Sequence, residues 1–220
     1  MYKIRREGEF PLQLKMEDFE TRFQKLFLEG KKVVYIKNEF DNSTFRYRAY
    51  NIIQALEGNE DYIVTCFLPT ELEKVFEHID KIGLVILQRA MWDLNIDNFI
   101  FLSKQKSIPV IYDIDDLIYN PKYVPLYLNN LGVISETPKT FDVHFNFASK
   151  YYALASKCQG FIVTNDFLGR VVQEDFSKPV WVIPNFLNEE QEYHSKKIRE
   201  SRIEDKSKFI IGYFRKVKIL

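Results

Sequence analysis

Three aspartates follow a short apolar run near the middle of the chain, and carboxylates in such a position can do chemistry. The run begins at Val110, directly after a proline, and Asp113, Asp115 and Asp116 come at its end. Apolar, partly β-branched residues of this kind predict a buried parallel strand. Because ligands of open α/β sheets bind beyond the carboxyl ends of the strands, the three carboxylates are candidate catalytic residues.

The spacing of these acids is compatible with three kinds of chemistry. Asp113 and Asp115 resemble the first motif of haloacid-dehalogenase-type phosphatases, a nucleophile and a general acid two residues apart, although that family places the motif at its first strand. Carboxylates also suit Mg²⁺ or Mn²⁺. In the third interpretation, which we prefer, one acid orients a hydroxyl group in the cleft while the others cap the next turn or pair with arginine. We expect no resident metal.

A basic helix start follows the first predicted strand. Asn42 or Ser43 is a suitable N-cap, which places Arg46 and Arg48 in the first turns of the helix. Cations there oppose the positive end of the helix dipole, whereas the free backbone N–H groups at this end favour an anion. The two arginines therefore indicate a site for a phosphate or carboxylate group, or they pair with the aspartates.

Two further polar residues follow predicted strands and are candidates for the same site. Arg89 comes directly after the third strand and is a candidate for the cleft. Asn165 comes after the fifth strand, where it can cap the next helix although its loop also opens toward the crevice.

The elements that must position these residues alternate regularly along the chain. The apolar runs and helical spacings predict a parallel, doubly wound α/β sheet of the Rossmann-like type. If the common strand order 3-2-1-4-5-6 applies, the loops after the first and fourth strands lie side by side. The predicted strands are 32–37, 62–67, 84–88, 110–113, 161–164 and 180–183, and the predicted helices are 45–56, 70–79, 94–106, 141–157 and 167–175.

The flanking and connecting segments have a different composition. A helix is predicted near residues 19–27, within an N-terminal extension 1–31, and residues 119–141 are predicted to be an irregular wall of the cleft. Residues 187–207 are polar and predict a linker, and 208–214 form one more apolar strand. Because a lone strand cannot form a domain, we expect residues 208–220 to be an orphan strand from a truncated second domain.

Composition narrows the range of functions. Lys plus Arg and Asp plus Glu both number 31, so no global field favours nucleic acid and we expect no nucleic-acid partner. Cys66 and Cys158 lie in or beside apolar segments without metal-ligand spacing, which predicts reduced thiols in a cytoplasmic protein. No signal peptide or membrane-spanning run is predicted, and a peripheral contact with the inner membrane face stays open.

Four segments in order resemble the N-terminal half of GT-B-fold glycosyltransferases of the group 1, family 4-like type. They are Phe-Arg-Tyr-Arg within 42–50, Val-Ile-Leu-Gln-Arg at 85–89, Val-Ile-Tyr-Asp-Ile-Asp-Asp-Leu-Ile at 110–118 and Val-Ile-Pro-Asn at 182–185. The resemblance implies that residues 32–186 are an acceptor-side domain. It also implies that the strand near 211–214 opens a C-terminal domain that binds the donor, and here the donor motifs are absent.

The leading hypothesis is a glycosyltransferase of polysaccharide biosynthesis, which transfers sugar from a nucleotide-sugar to a glycan or lipid-linked acceptor. We expect this chain to be inactive alone, with no tightly bound cofactor, and to require a donor domain that a separate chain could supply. The alternatives are a haloacid-dehalogenase-like, Mg²⁺-dependent phosphatase and a non-catalytic binding or assembly module.

Overall fold

A computed structural model describes residues 14–40, 43–130 and 138–201 of the chain. The described part divides between Asn188 and Glu189 into two compact units. In the first unit, six strands form one parallel sheet, as the alternating sequence pattern predicts. The strands are β1 (Lys31–Ile36), β2 (Tyr62–Phe67), β3 (Ile82–Gln88), β4 (Val110–Ile114), β5 (Gly160–Val163) and β6 (Val180–Val182).

The helices of the first unit lie mainly in the crossover connections. One of them, α2 (residues 43–55), is continuous but contains a π-helical turn, Arg46–Tyr50, between two α-helical pieces, Ser43–Phe45 and Asn51–Ala55. Short 3₁₀ turns occur at Lys25–Phe27, Pro69–Glu71, Ile79–Lys81 and Pro121–Tyr123. The other helices are α1 (Phe19–Gln24), α3 (Leu72–Phe76), α4 (Leu94–Gln105), α5 (Val124–Asn130), α6 (Pro138–Ala155) and α7 (Asp166–Phe176).

The sheet separates two hydrophobic cores. Side chains alternate along each strand, so Val34 and Ile36 of β1 enter the larger core, whereas Tyr35 enters the smaller one. Helices α3, α4, α6 and α7 contribute to the larger core, and α2 contributes to the smaller one. This division follows from right-handed crossovers, because the connection from β1 to β2 runs along the sheet in the opposite direction to the later connections.

The strand order corrects one expectation from the sequence. The observed order is β2-β1-β3-β4-β5-β6, so β3 separates β1 from β4 and the predicted order 3-2-1-4-5-6 is wrong. The chain reverses its direction across the sheet between β1 and β3, because the connection after β2 passes back over β1. In doubly wound sheets, ligands bind at the carboxyl ends of the strands beside such a reversal.

The connection between β4 and β5 is more regular than the sequence suggests. Residues 119–141 were expected to be irregular, but they contain the turn Pro121–Tyr123, the helix α5 and the first residues of α6. Pro125 is compatible with α5 because it occupies the first turn, where a backbone N–H has no helical partner. Residues 131–137 lie outside the described residues.

The second unit contains the helix α8 (Glu189–Glu200), within the segment predicted to be a linker. Acidic residues occupy its first turn and basic residues its last turn, which favours the helix dipole at both ends. The predicted strand at 208–214 lies outside the described residues, as do residues 1–13 of the N-terminal extension, so the domain boundaries remain predictions.

Candidate functional site

A buried ion pair joins α2 to the end of β4. Arg48 donates from Nε to Oδ1 of Asp113 at 3.0 Å and from Nη2 to Oδ2 at 2.7 Å. The side chains of Arg48 and Asp113 are 1% and 0% exposed. Arg48 lies in the π-helical turn, where the N–H of Asn51 donates to the carbonyl of Arg46, five residues earlier. Such turns are frequent at functional sites.

Burial and ion pairing have opposite effects on the protonation of this pair. Burial raises the pKa of Asp113 to about 6, although its hydrogen bonds to Arg48 oppose the rise. Burial alone would lower the pKa of Arg48, but the hydrogen bonds and charge of Asp113 raise it. Both groups are therefore mostly ionised at neutral pH, and each neutralises the charge of the other. This is the pairing that the sequence analysis left open beside anion binding.

Arg48 also holds the segment that follows β6. Its Nη1 donates to the carbonyl of Ile183 at 2.5 Å and to Oδ1 of Asn185 at 3.3 Å. One turn later, Nδ2 of Asn51 donates to the carbonyl of Phe186 at 2.8 Å. Asn188 then donates to the side chain of Gln54. Successive turns of α2 thus fix residues 183–188 beside the carboxyl edge of the sheet, that is, the side at which the parallel strands end.

Arg89 connects three parts of the carboxyl edge. It has a φ of +45°, an unusual backbone conformation for a residue with a side chain. Its Nη1 lies 3.2 Å from Oγ1 of Thr44, 3.4 Å from Oδ1 of Asp115 and 3.5 Å from Oδ2 of Asp116. Burial raises the pKa of Tyr151, although a hydrogen bond from Arg89 acts to lower it. The two long carboxylate contacts leave the guanidinium able to rearrange around a ligand.

The three predicted aspartates occupy different environments. Asp113 is enclosed, whereas the side chains of Asp115 and Asp116 are 15% and 62% exposed. Asp115 is therefore the partly shielded carboxylate just beyond the end of β4. The geometry favours Asp115 over Asp113 as the group that could contact a substrate.

Lys37 and Gln88 belong to the same edge and were missed in the sequence. Lys37 directly follows β1 and is 4% exposed, and Gln88 ends β3 and is 0% exposed. Burial, followed by the charge of Arg89, lowers the pKa of Lys37 to about 8. A strand that ends in a lysine or glutamine usually indicates solvent exposure. The available signal was their position at the carboxyl ends of two predicted strands.

The loops after β1 and β3 are tied to each other. Oδ1 of Asn38 accepts a hydrogen bond from the backbone N–H of Met91 at 2.9 Å. The N–H of Arg89 donates to the carbonyl of Asp113 at 2.8 Å, which continues the pairing of β3 with β4 beyond Gln88. These contacts fix the backbone on both sides of the reversal point.

The other predicted site residues lie elsewhere or are not described. Oδ1 of Asn165 accepts from the N–H of Leu168 at 2.9 Å and so caps α7, as the sequence indicates. Arg46 is half-buried with its guanidinium 5.8 Å from the ring of Tyr50, and its Nη1 has no hydrogen-bond partner. Ser43 begins α2, whereas Asn42 lies outside the described residues. The structure does not bring Arg46 or Asn165 into contact with the aspartates.

The described residues contain neither a candidate metal cluster nor a helix that could span a membrane. Within residues 14–40, 43–130 and 138–201, no group of three or more His, Cys, Asp or Glu side chains is arranged to hold a metal ion. Over the same ranges, no helix has both the length and the apolar character needed to span a membrane.

Comparisons with known proteins give only remote likenesses. No family model matches the chain, and no curated protein matches it. A conserved protein from Enterococcus faecalis V583 is 16% identical over 67% of this chain and 99% of its own, with a TM-score of 0.38. Phytolacca americana UGT2, complexed with UDP-2fluoro-glucose and pterostilbene, is 10% identical over 74% of this chain and 55% of its own, with a TM-score of 0.46.

A third solved structure is a LacI family transcriptional regulator from Silicibacter pomeroyi. It is 12% identical over 69% of each chain, with a TM-score of 0.36. The three named proteins differ in kind and all their TM-scores are below 0.5, so none of these likenesses assigns a function.

Proposed function

We propose that this chain is the acceptor-binding domain of a glycosyltransferase of the GT-B type. The observation that supports this proposal best is the mixed set of donors and acceptors at the carboxyl edge beside the reversal of the sheet. Arg89 and Lys37 supply N–H groups there, and Asp115 supplies carboxylate oxygens. Each hydroxyl of a sugar both donates and accepts, so a sugar requires a site of this mixed composition.

In the proposed reaction, a hydroxyl of the acceptor attacks the anomeric carbon of a nucleotide-sugar. The bond from that carbon to the diphosphate oxygen breaks, and the nucleoside diphosphate leaves with the proton of the hydroxyl. Asp115 accepts a hydrogen bond from the attacking hydroxyl and thereby orients it. Arg89 holds Asp115 and donates to a neighbouring hydroxyl. The donor and the charge that stabilises its leaving group belong to a second, donor-binding domain.

Arg48 and Asp113 are positioning residues in this proposal. The guanidinium and the carboxylate bind each other through two hydrogen bonds, so neither group is available to an acceptor while the pair is intact. Their role is to fix α2 and residues 183–188 against the end of β4. The sequence resemblance at 45–48, 110–118 and 182–185 includes residues of this same network.

The phosphatase alternative requires Asp113 to act as the nucleophile. However, both oxygens of the Asp113 carboxylate accept hydrogen bonds from Arg48. A nucleophile must present a free oxygen to phosphorus. Mg²⁺-dependent hydrolysis of p-nitrophenyl phosphate that is lost in Asp113→Asn would favour the phosphatase over the transferase.

The proposal is tested by titrating the full chain with acceptors while recording amide NMR spectra. The panel contains neutral mono- and disaccharides, sugar phosphates, short-chain lipid-linked sugars and nucleotide-sugars. We expect the acceptors to shift the amides of residues 37–39, 89–91 and 115–117. Asp115→Asn should weaken acceptor binding about tenfold, as expected for a hydrogen bond to a charged group.

Asp80→Asn is the matched control, because Asp80 is exposed and precedes β3 at the opposite edge of the sheet. Micromolar binding of nucleotide-sugars by this chain would contradict the proposed division of labour. A protein partner that binds the same edge, with no sugar bound by any variant, would favour the non-catalytic assembly module.

A further inference from the structure

Two polar residues lie next to each other at the point where the sheet reverses. The register pairs Ile36 with Leu87 in β1 and β3, and Gln88 with Asp113 in β3 and β4. Lys37 and Gln88 therefore follow at the same level on neighbouring strands. Because in-register residues of parallel strands point to the same face, their side chains share the α2 side of the sheet with Asp113.

Gln88 has unused hydrogen-bonding capacity. It is 0% exposed, and neither its Nε2 nor its Oε1 has a hydrogen-bond partner. Buried amides are almost always hydrogen-bonded in folded proteins, because an unpaired group loses its bonds to water without replacement. A buried amide with both atoms unpaired at the carboxyl ends of the strands therefore indicates a bound group.

Lys37 carries a charge that the surrounding ion pairs do not neutralise. In the described part of the chain, no salt bridge includes Lys37, although it is 4% exposed. Asp113 is paired with Arg48, and Asp115 and Asp116 with Arg89. Each nearby aspartate is already in a salt bridge, whereas no salt bridge of the described residues includes the ammonium of Lys37.

We propose that Lys37 and Gln88 form a subsite for a negatively charged oxygen group of the acceptor, a phosphate or a carboxylate. Nζ of Lys37 and Nε2 of Gln88 each donate to one of its oxygens. Oε1 of Gln88 accepts from a hydroxyl on the sugar or from the remaining proton of a phosphate monoester. This inference deepens the proposed function, since it defines the acceptor of that site as anionic.

Burial and four neighbouring charges set the pKa of Lys37. Burial has the largest effect and lowers its pKa, as does the charge of Arg89, whereas Asp115, Glu39 and Asp113 act to raise it. An anion bound to Lys37 adds a favourable charge and raises its pKa. Binding near pH 8 should therefore take up part of a proton from the buffer.

The experiment is isothermal titration calorimetry of the full chain with inorganic phosphate, glucose 1-phosphate, glucuronate and glucose. We expect glucose 1-phosphate or glucuronate to bind at least tenfold more tightly than glucose, and the comparison between them decides which anion the subsite takes. In two buffers of different ionisation enthalpy at pH 8, the anion should take up a fraction of a proton. Lys37→Met should abolish the preference and the proton uptake.

Three variants separate this role from a structural one. Lys37→Arg should retain the preference for anions, and Gln88→Met, of similar volume, should reduce it several-fold. Lys31→Met, at the exposed opposite end of β1, should leave all affinities unchanged. Thermal unfolding of Lys37→Met checks that the loss of binding occurs in a folded protein.

The outcomes distinguish this inference from the proposed function. Neutral sugars that bind as tightly as the anionic ones would overturn the inference and leave the glycosyltransferase proposal intact. Phosphate binding that depends on Lys37, with no sugar bound, would support the subsite and contradict acceptor binding. Anion binding that survives Lys37→Met would overturn the inference.

Discussion

Arg48 and Asp113 form a charged pair that is stabilising only as long as both partners are present. Removing the two charged groups from water costs several kcal/mol per ion. The five N–H groups of the guanidinium also need hydrogen-bond acceptors when they are buried. The guanidinium of Arg48 donates hydrogen bonds to the carboxylate of Asp113, the carbonyl of Ile183 and the side chain of Asn185. Its planar fork explains why arginine, rather than lysine, occupies this position.

Arg48→Met should lower the free energy of unfolding by about 3–5 kcal/mol, because it leaves the carboxylate of Asp113 buried without a partner. The double variant Arg48→Met, Asp113→Leu should recover much of this loss, since it buries no charge. Urea unfolding followed by circular dichroism measures both effects.

The exposed pair of Lys74 and Glu20 is the control for this measurement. Its side chains are 67% and 69% exposed and its atoms are 3.6 Å apart. Lys74→Met should change the free energy of unfolding by less than about 1 kcal/mol. If Arg48→Met cost no more than this control, the pair would not be the central anchor of α2.

The lowered pKa of Lys37 predicts that the free energy of unfolding rises with pH. The pKa of Lys37 is lowered from 10.5 to about 8 in the folded protein, first by burial. The unfolded chain therefore binds this proton more tightly, and deprotonation favours the folded state. Between pH 8 and 10.5, the wild type should gain up to about 3 kcal/mol relative to Lys37→Met.

Urea unfolding at several pH values measures this difference, with Lys31→Met as the exposed control. Lys31 is exposed at the start of β1, and we expect that variant to follow the wild type in this measurement. A constant difference between the wild type and Lys37→Met would show that the ammonium of Lys37 is hydrated.

At the level of single residues, the sequence predicted the groups that carry charge after a strand, namely Asp113, Asp115, Asp116 and Arg89. It also allowed the pairing of Arg48 with an aspartate. Lys37 and Gln88 could not be identified, because their burial depends on which strands become neighbours. Arg46 and Arg48 lie in the same π-helical turn, but two residues apart they point to different sides of the helix, and only Arg48 points to Asp113.

Helix α2 acts as a single element that holds the segment after β6. Arg48, Asn51 and Gln54 lie at three-residue intervals and contact Ile183, Phe186 and Asn188 respectively. This spacing places them on one side of the helix. The segment is thereby fixed although it has no regular secondary structure.

Arg48→Lys should loosen this segment selectively. A lysine can keep one contact with Asp113 but cannot also donate to the carbonyl of Ile183 with the geometry of a guanidinium. Amide hydrogen exchange in residues 183–188 should accelerate at least tenfold, while β1, β3 and β4 keep their protection. Mass spectrometry of peptides from exchanged protein measures this.

Arg170→Lys, on the exposed side of α7, is the corresponding control. Equal acceleration throughout the sheet would indicate global destabilisation instead of a local contact. Unchanged exchange in residues 183–188 would show that Asn51 and Gln54 hold the segment without Arg48.

At the level of elements, the strands were predicted to within two residues because each is a short apolar run between turn residues. The order of the strands in the sheet was not predicted, because their apolar sequences do not encode the direction of each crossover. Helix α5 was missed within the segment predicted to be irregular, although a proline such as Pro125 is well suited to a first helical turn.

For the molecule as a whole, charge is balanced and only the local arrangement can select a ligand. Positive and negative residues are equal in number, so the net charge does not attract ligands of either sign. The reversal between β1 and β3 brings Lys37, Gln88 and Arg89 to the same edge as Asp115. The location of the candidate site therefore follows from strand order and not from overall composition.

Other concave surfaces compete with this site. A groove beside the edge strand β6 is lined by Asp166, Gly169, Arg170, Gln173, Glu174, Val180 and Val182. A second depression lies near α1, where Arg22 makes a bidentate pair with Glu71 and donates to the carbonyl of Cys66. Neither has a buried amide without a partner, so the carboxyl edge is the stronger candidate.

The most direct test is a crystal structure of the full chain with the tightest-binding sugar from the titrations. We expect its oxygens within about 2.7–3.2 Å of Asp115, Arg89 and Lys37, beside the reversal of the sheet. A sugar bound in the groove of α7 and β6, or at the amino edge of the sheet, would contradict the proposed acceptor site.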